Sequence, residues 1–502
     1  MSGFFDVISY FWDFHFIWMV FIGSVAGLFV GAIPGLSVSM ATALLVSITY
    51  SWNTGDAIAT IMGVYTVGVF SGAISAILIN IPGAPSSVVT TLDGYPLAKR
   101  GEAYKALKYA TVYSFIGTLF GFVVLWLAAK PISDIALKFT PMDYFLIALF
   151  GLAAVGSLTA KSFSKGLISA MLGLIMSTIG IDSVMGTPRM TFGIYDLQAG
   201  INIVPALVGL FGFNEVLSVI SDGFLKSEVS NMVRTVVKLK DMFKHFFRSI
   251  YYAVIGTLVG ALPGAGGPVA AFLAYGEAKR IVKNPDVPFG EGQVEGIVAS
   301  ETANNACIGG AFIPMLTLAV PGDAVTAIIL SVFYIHGLQP GPMFIRNSPE
   351  LFHAVLAGGL IGSVFILILG LLLGPRISRI INIPKRILLP IVTVLCVIGA
   401  FACNNRMFDV GLMFFFGILG YLMRRRDYPV APMILALVLG GMMDNSFRRA
   451  ISLASTEENM LAALFGRPIT LVLTLFTIIT VVSNIPAVKG YFDSRKSMMK
   501  PE

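Results

Sequence analysis

Apolar runs of similar length recur along the whole chain, at 16–33, 109–129, 143–160, 164–181, 200–220, 350–374 and 467–483. Each matches the roughly 17–25 residues that a helix needs to cross a bilayer core. The short alternating segments of a membrane barrel are not the pattern here. The runs predict an all-α polytopic membrane protein with roughly 10–12 transmembrane helices.

Several apolar stretches carry a Pro-Gly pair in the middle. Residues 27–45 read GLFVGAIPGLSVSMATALL and residues 256–274 read GTLVGALPGAGGPVAAFLA; eight of the nineteen positions are identical at an offset of 229. A second Pro-Gly follows in each half, in ILINIPGAPSSVVTTLDGYP (77–96) and in MLTLAVPGDAVTAIILSVFYIHGLQP (315–340). Two ordered matches imply an internal repeat. The arms 249–262 and 265–278 are each too short to span about 30 Å at 1.5 Å per residue. They predict a re-entrant hairpin turning at Pro263-Gly264, with a counterpart at Pro34-Gly35. The rival geometry is a broken helix that crosses the bilayer.

Charge orients the two halves. The first Lys or Arg is Lys99, so the first break has no basic flank, whereas Lys226, Arg234, Lys238, Lys240, Lys244 and Arg248 precede the third break and Lys279, Arg280 and Lys283 follow it. After the second break of each half the pattern swaps: YPLAKRGEAYKALK (95–108) is basic and HGLQPGPMFIRNSPE (336–350) holds one Arg. Under the positive-inside rule, equivalent loops face opposite sides, as in an inverted-topology repeat. The net charge of +7 therefore reflects cytoplasmic loops and gives no reason to expect nucleic acid. Apolar and basic residues alternate at helical spacing over 226–248, which predicts an amphipathic surface helix between the halves. The expected organisation is a first membrane repeat (1–222), a cytoplasmic connector (223–248), a second repeat core (249–374), C-terminal transmembrane helices (375–488) and a cytoplasmic tail (489–502). Asp6 and Asp13, in a segment without a basic n-region, argue against a cleaved signal peptide.

The breaks are where chemistry is expected. Unpaired backbone at membrane depth is tolerated only where it is buried in protein or lines a polar cavity. Helix N-termini exposed there offer N–H groups and a positive dipole end to an anion. A glycine in such a run also serves helix packing, but four Pro-Gly breaks in repeated order favour a ligand site. The candidate substrate-binding residues are Pro34, Gly35, Ser37, Asn80, Pro82, Gly83, Ser86, Ser87 and Thr90 in the first half. In the second half they are Pro263, Gly264, Gly266, Gly267, Asn304, Asn305, Pro321, Gly322 and Thr326. Glu301, Asn304 and Asp323 are the candidates for a coupling ion, Na⁺ or H⁺, with helix capping as the competing role for the carboxylates. No other metal and no cofactor is expected. Cys307, Cys396 and Cys403 read as small core residues, and the four histidines are scattered. No P-loop pattern is present, and no nucleophile–base constellation marks an enzyme beyond a weak Glu301–Asp323 dyad.

These motifs resemble one family, the large membrane subunit of tripartite tricarboxylate transporters. The matching stretches are GAIPGL, ILINIPGAPSSVVTTLDGYPLAKRG, GALPGAGGPVAAFLAYGEAKR, FGEGQVEGIVASETANNACIGGAFIPMLTLAVPG, HGLQPGPMF, GAFACNNRMFDVGLMFFFGILGYLMRR and LVLGGMMDNSFRRAI. The resemblance implies a multi-pass permease of the bacterial cytoplasmic (inner) membrane, not an enzyme. It also implies two partners, a small four-helix membrane subunit and a periplasmic substrate-binding protein. The implied activity is import of organic carboxylates, such as citrate and related di- and tricarboxylates or aromatic acids, driven by an ion gradient. The residues it carries over are the glycines and prolines of the breaks with Asn80, Asp93, Glu301, Asn304 and Asn305. Ser300 departs from a position where the family often has Pro, and Asp323 from one where a small uncharged residue is usual. A self-sufficient anion transporter or a passive channel, neither needing a binding protein, is the alternative.

Overall fold

In a computed structural model, residues 2–33, 36–159, 163–182, 186–222, 239–381 and 385–483 are described. Among them the only strands are the two-residue pair Gly180–Ile181 and Pro188–Arg189. The protein is an all-α polytopic membrane protein. Seven helices among the described residues are long and apolar enough to cross a membrane, and six further apolar helices have 10–17 residues. Of the latter, Phe246–Gly260 and Ala324–Ile335 are too short to span alone without thinning the bilayer or being joined across a break.

The chain forms two compact units, one of residues 1–133 and 204–421, the other of 134–203 and 422–502. The first contains both copies of the repeat. Its first half consists of α1 (Phe14–Ala32), α2 (Val38–Ile48), α3 (Thr54–Ile79), α4 (Val88–Leu97) and α5 (Ala103–Ala136, which runs on into the second unit). The Asp13 side chain accepts from the Phe16 N–H at 3.1 Å and starts α1, and Asn53 accepts from Gly55 at 2.9 Å and starts α3. Such caps satisfy N–H groups that the first turn leaves unpaired. The second half consists of α6 (Phe246–Gly260), α7 (Gly266–Ile281), α8 (Val294–Leu318), α9 (Ala324–Ile335) and α10 (Pro349–Ile381).

The repeat is visible in the packing. Along α1, a Cβ on Gly27 or Gly31 would strike the carbonyl oxygens of Val64 and Gly68 on α3. Along α6, a Cβ on Gly256 or Gly260 would strike those of Ala303 and Cys307 on α8. The glycines are related by the offset of 229 and their partners by 239, so each half brings its first and third helices into backbone contact through small residues. α3 and α8 also end alike, with Asn80 (φ 58°) and Ala319 (φ 57°) in the left-handed conformation just before each second Pro-Gly. Gly83 and Gly322 then abut the carbonyls of Gly31 and Gly260. The helices that follow the breaks also reach across the halves: α2 packs on α9 as well as on α3, and α7, seated on α8 and α6, also touches α4 and the turn Pro85–Ser87.

The loops segregate by charge. Arg100, Lys105, Lys244 and His245 line one cavity of about 410 Å³ together with Asp241, Asp286 and Gly292. The poorly basic loops meet one another elsewhere, with Thr54 Oγ1 3.4 Å from His336 Nδ1 and the Tyr10 hydroxyl 3.1 Å from the Glu350 carbonyl.

The second unit packs Phe163–Ser177 on Val430–Ala454 through Gly173 and Gly440. Arg189 and Arg448 both reach Asp182 and Asp444, closing a four-residue charge network. Residues 223–238 of the expected connector and the expected tail lie outside the described residues.

Candidate functional site

Pro34 and Gly35 lie outside the described residues. Directly after them Ser37 caps α2, accepting from the Met40 N–H at 3.1 Å. At the third break Gly264 (φ 74°) and Gly266 (φ 63°) occupy a region that side chains disfavour. This geometry turns the chain from α6 into α7 and lets the Gly264 N–H donate to the Gly322 carbonyl at 2.7 Å. Pro263, Pro321 and Gly322 are buried, so the two breaks of the second half are tied together inside the protein.

The breaks of the two halves converge at Gly267. A Cβ there would overlap the Asn304 side-chain oxygen and lie 3.1 Å from Ser86 Cβ. Only glycine allows this approach, which sets the turn holding Ser86 and Ser87 against α7 and α8. Ser86, Ser87, Asn304 and Asn305 are all buried. Three polar atoms in this group find no hydrogen-bond partner: Ser87 Oγ, Asn304 Nδ2 and Asn305 Oδ1. An unsatisfied buried polar group costs about 1–3 kcal/mol, and such groups are rare in folded proteins.

Glu301, fully buried on α8, lies beside this group. Its Oε1 is hydrogen-bonded to Thr90 Oγ1 of α4, and its Oε2 to Ser114 Oγ of α5 at 3.0 Å and Asn305 Nδ2 at 3.3 Å. Its hydrogen-bond partners among the described residues are all neutral. Ser114 was missed by the sequence reading, where a serine inside the apolar run 109–129 carries no motif.

Other candidates have structural partners. Asp323 is the N-cap of α9: its Oδ1 accepts from the Thr326 N–H and hydroxyl, each at 2.8 Å, and its Oδ2 accepts from the Tyr65 hydroxyl at 2.5 Å. This is the capping role, with Thr326 completing the box. Glu301 and Asp323 share no hydrogen-bond partner, which leaves the carboxylate dyad without a geometric basis. Asn80 is exposed and serves as the left-handed end of α3. Pro82 is half-buried, and the Gly83 N–H donates to the Gly72 carbonyl at 3.2 Å. Asp93 anchors a loop: Oδ1 accepts from the N–H groups of Gly290, Gly292 and Gln293, and Oδ2 from the Tyr275 hydroxyl.

Residues 17–435 match the model of the tripartite tricarboxylate transporter TctA family. The chain belongs to the TctA family. A relative from Agrobacterium vitis, described as an uncharacterized 52.8 kDa protein in the TAR-I ttuC' 3' region, is 34% identical over 435 residues, covering 86% of each chain. Another from the same organism, an uncharacterized protein in the TAR-II ttuC' 3' region, is 37% identical over 199 residues, covering 40% of this chain and 82% of its own. No solved structure matches. The TctA-family match spans all four Pro-Gly breaks and the residues around Glu301. The sequence-level resemblance is thereby borne out, and with it membership of a family of transporter subunits.

Proposed function

We propose that this chain is the permease subunit of a binding-protein-dependent secondary transporter of the bacterial inner membrane. It imports organic carboxylates of the di- and tricarboxylate class by alternating access, coupled to an ion gradient. Its partners are a small four-helix membrane subunit and a periplasmic substrate-binding protein.

The observation that carries the reading is the meeting of Gly267, Ser86 and Asn304, with two buried donors, Asn304 Nδ2 and the Oγ of Ser87, left unpartnered. A carboxylate supplies acceptors for the Ser87 hydroxyl and the Asn304 amide. The N-terminal turn of α7, opened by glycines, supplies further N–H groups and a favourable dipole. Neutral donors bind an anion without the tight grip of an Arg fork, which suits a site that must also release its ligand. The segregation of basic from poorly basic loops favours opposite orientation of the two halves.

The test is uptake of labelled citrate and succinate by proteoliposomes containing the chain and its small membrane partner, with and without the binding protein and an imposed ion gradient. Saturable uptake that needs both supports the proposal. Conduction without saturation or binding protein identifies a channel and refutes it.

A further inference from the structure

The hydrogen-bonding groups around Glu301 can be counted, and the count distinguishes a proton from a metal cation. Ser300 Oγ lies 3.2 Å from Thr90 Oγ1 and 2.9 Å from the Gly296 carbonyl one turn back on α8. Together with the Thr90–Glu301 bond this makes a chain from Glu301 through Thr90 and Ser300 to Gly296. Each hydroxyl has one hydrogen and can also accept. With Glu301 ionised, Ser300 donates to Thr90 and Thr90 donates to Oε1. With Glu301 neutral, its own O–H donates to Thr90, Thr90 to Ser300, and Ser300 to the Gly296 carbonyl. Two hydroxyl rotations connect the states, and every hydrogen on the chain has an acceptor in both.

The other carboxyl oxygen faces a donor. Asn305 Nδ2 is 2.9 Å from Ser114 Oγ, 2.9 Å from the Glu301 carbonyl and 3.3 Å from Glu301 Oε2. Three acceptors around one amide end fix nitrogen at that position, so an N–H occupies the space where a cation would need oxygen. Several other titratable groups on the packed helices are engaged elsewhere. Asp93 of α4 and Tyr275 of α7 bond each other, and Tyr113 of α5 donates to the Met242 carbonyl. Tyr65 of α3 holds Asp323, while Tyr252 of α6, His245 and Arg248 hold Glu295 near the start of α8. Cys307 on α8 is a buried free thiol.

We infer that Glu301 is the site at which this protein takes up and releases a proton, and that Thr90 and Ser300 form a reversible hydroxyl relay serving both of its charge states. The inference rests on the ion-coupled reading above and names the ion. The step is protonation alone: an O–H bond forms at Oε1 with a proton from water on one side and breaks towards the other. Ser300 is a positioning residue that acts through Thr90.

The experiment compares wild type, Glu301→Gln and Ser300→Ala in proteoliposomes with both partner subunits, using citrate and succinate as probes. A glutamine amide imitates the neutral carboxyl but cannot release a proton, so E301Q is expected to lose uphill accumulation driven by a pH gradient. S300A removes the acceptor of the Thr90 hydroxyl in the neutral state, so the midpoint of pH-driven accumulation moves to lower pH. Independently of transport, pH-difference infrared spectroscopy of wild type shows a protonated-carboxyl band that E301Q lacks. Accumulation by E301Q equal to wild type overturns the inference, as does accumulation that follows a Na⁺ gradient at clamped pH and is lost in E301Q. Wild type that moves neither acid defeats the transport reading, and the infrared band then still decides the proton site. If E301Q does not reach the membrane, the band's pH midpoint in S300A decides, and an unmoved midpoint overturns the relay.

Discussion

Replacing Asp93 by Ala removes the anchor of the loop between α7 and α8. In the native structure Oδ1 accepts three backbone N–H groups, from Gly290 at 2.8 Å, Gly292 at 2.9 Å and Gln293 at 2.7 Å. The left-handed φ of 94° at Gly290 and 106° at Gly292 accompanies this convergence on one oxygen. The Tyr275 hydroxyl donates to Oδ2 at 2.9 Å, and a Cβ on Gly296 would overlap that same oxygen. Hydrogen bonds to a charged group are each worth about 1.5–3 kcal/mol. Gly290 is exposed and regains a partner from water, whereas Gly292 and Gln293 are buried and do not. The expected loss for Asp93→Ala is therefore about 3–5 kcal/mol. Asp93→Asn keeps an oxygen for the loop and an amide that can donate to Tyr275, and is expected to lose about 1–2 kcal/mol. Thermal unfolding in detergent ranks the variants, and limited proteolysis over 282–293 reports whether the loop is released. Asp93→Ala with wild-type melting and wild-type protease resistance refutes the reasoning. If Asp93→Asn abolishes uptake at unchanged stability, Asp93 belongs to the substrate site and not to the scaffold.

Asn304→Ala removes an amide with an unpartnered nitrogen, so carboxylate uptake is expected to fall at least tenfold while thermal stability stays within about 1 kcal/mol of wild type; normal uptake removes Asn304 from the site. Gly260→Val places a branched side chain against the Cys307 carbonyl and is expected to prevent α6 and α8 from closing, seen as loss of a monodisperse peak in detergent; a monodisperse, active variant contradicts the close approach. Tyr65→Phe deprives Asp323 of one partner but leaves its cap on α9, for a loss of about 1–2 kcal/mol in thermal unfolding, and an unchanged melting curve shows that the hydroxyl contributes nothing. Cysteines placed at Trp52 and Lys283 are expected to label from opposite sides of the membrane; labelling from one side alone contradicts the inverted repeat.

The breaks were legible because proline and glycine within an apolar run have no ordinary helical explanation. The repeat was legible because its glycines are fixed by backbone contact: positions 27, 31, 256 and 260 each face a carbonyl of the neighbouring helix. The capping of α9 by Asp323 could be read from an acid followed three residues later by Thr326. The contacts across the halves, α2 with α9 and α7 with α4, left no local signal, since apolar helices of similar length are interchangeable to a hydropathy pattern. Ser114 was hidden for a related reason. A single serine in an apolar run normally bonds back to its own helix, and only its contact with Glu301 sets it apart.

The contacts across the halves also constrain how the chain is made. α2 ends at Ile48 and packs on α3 soon after synthesis, but another of its partners, α9, is complete only at Ile335. At a ribosomal rate of about 5–20 residues per second, α2 waits roughly 15–60 seconds for that partner. During this interval its Pro-Gly end must be shielded by the insertion machinery or by water at the membrane surface. A nascent chain arrested before α9 is therefore a half-built core and not a smaller working carrier, so quality control can recognise it by a helix with one face still uncovered.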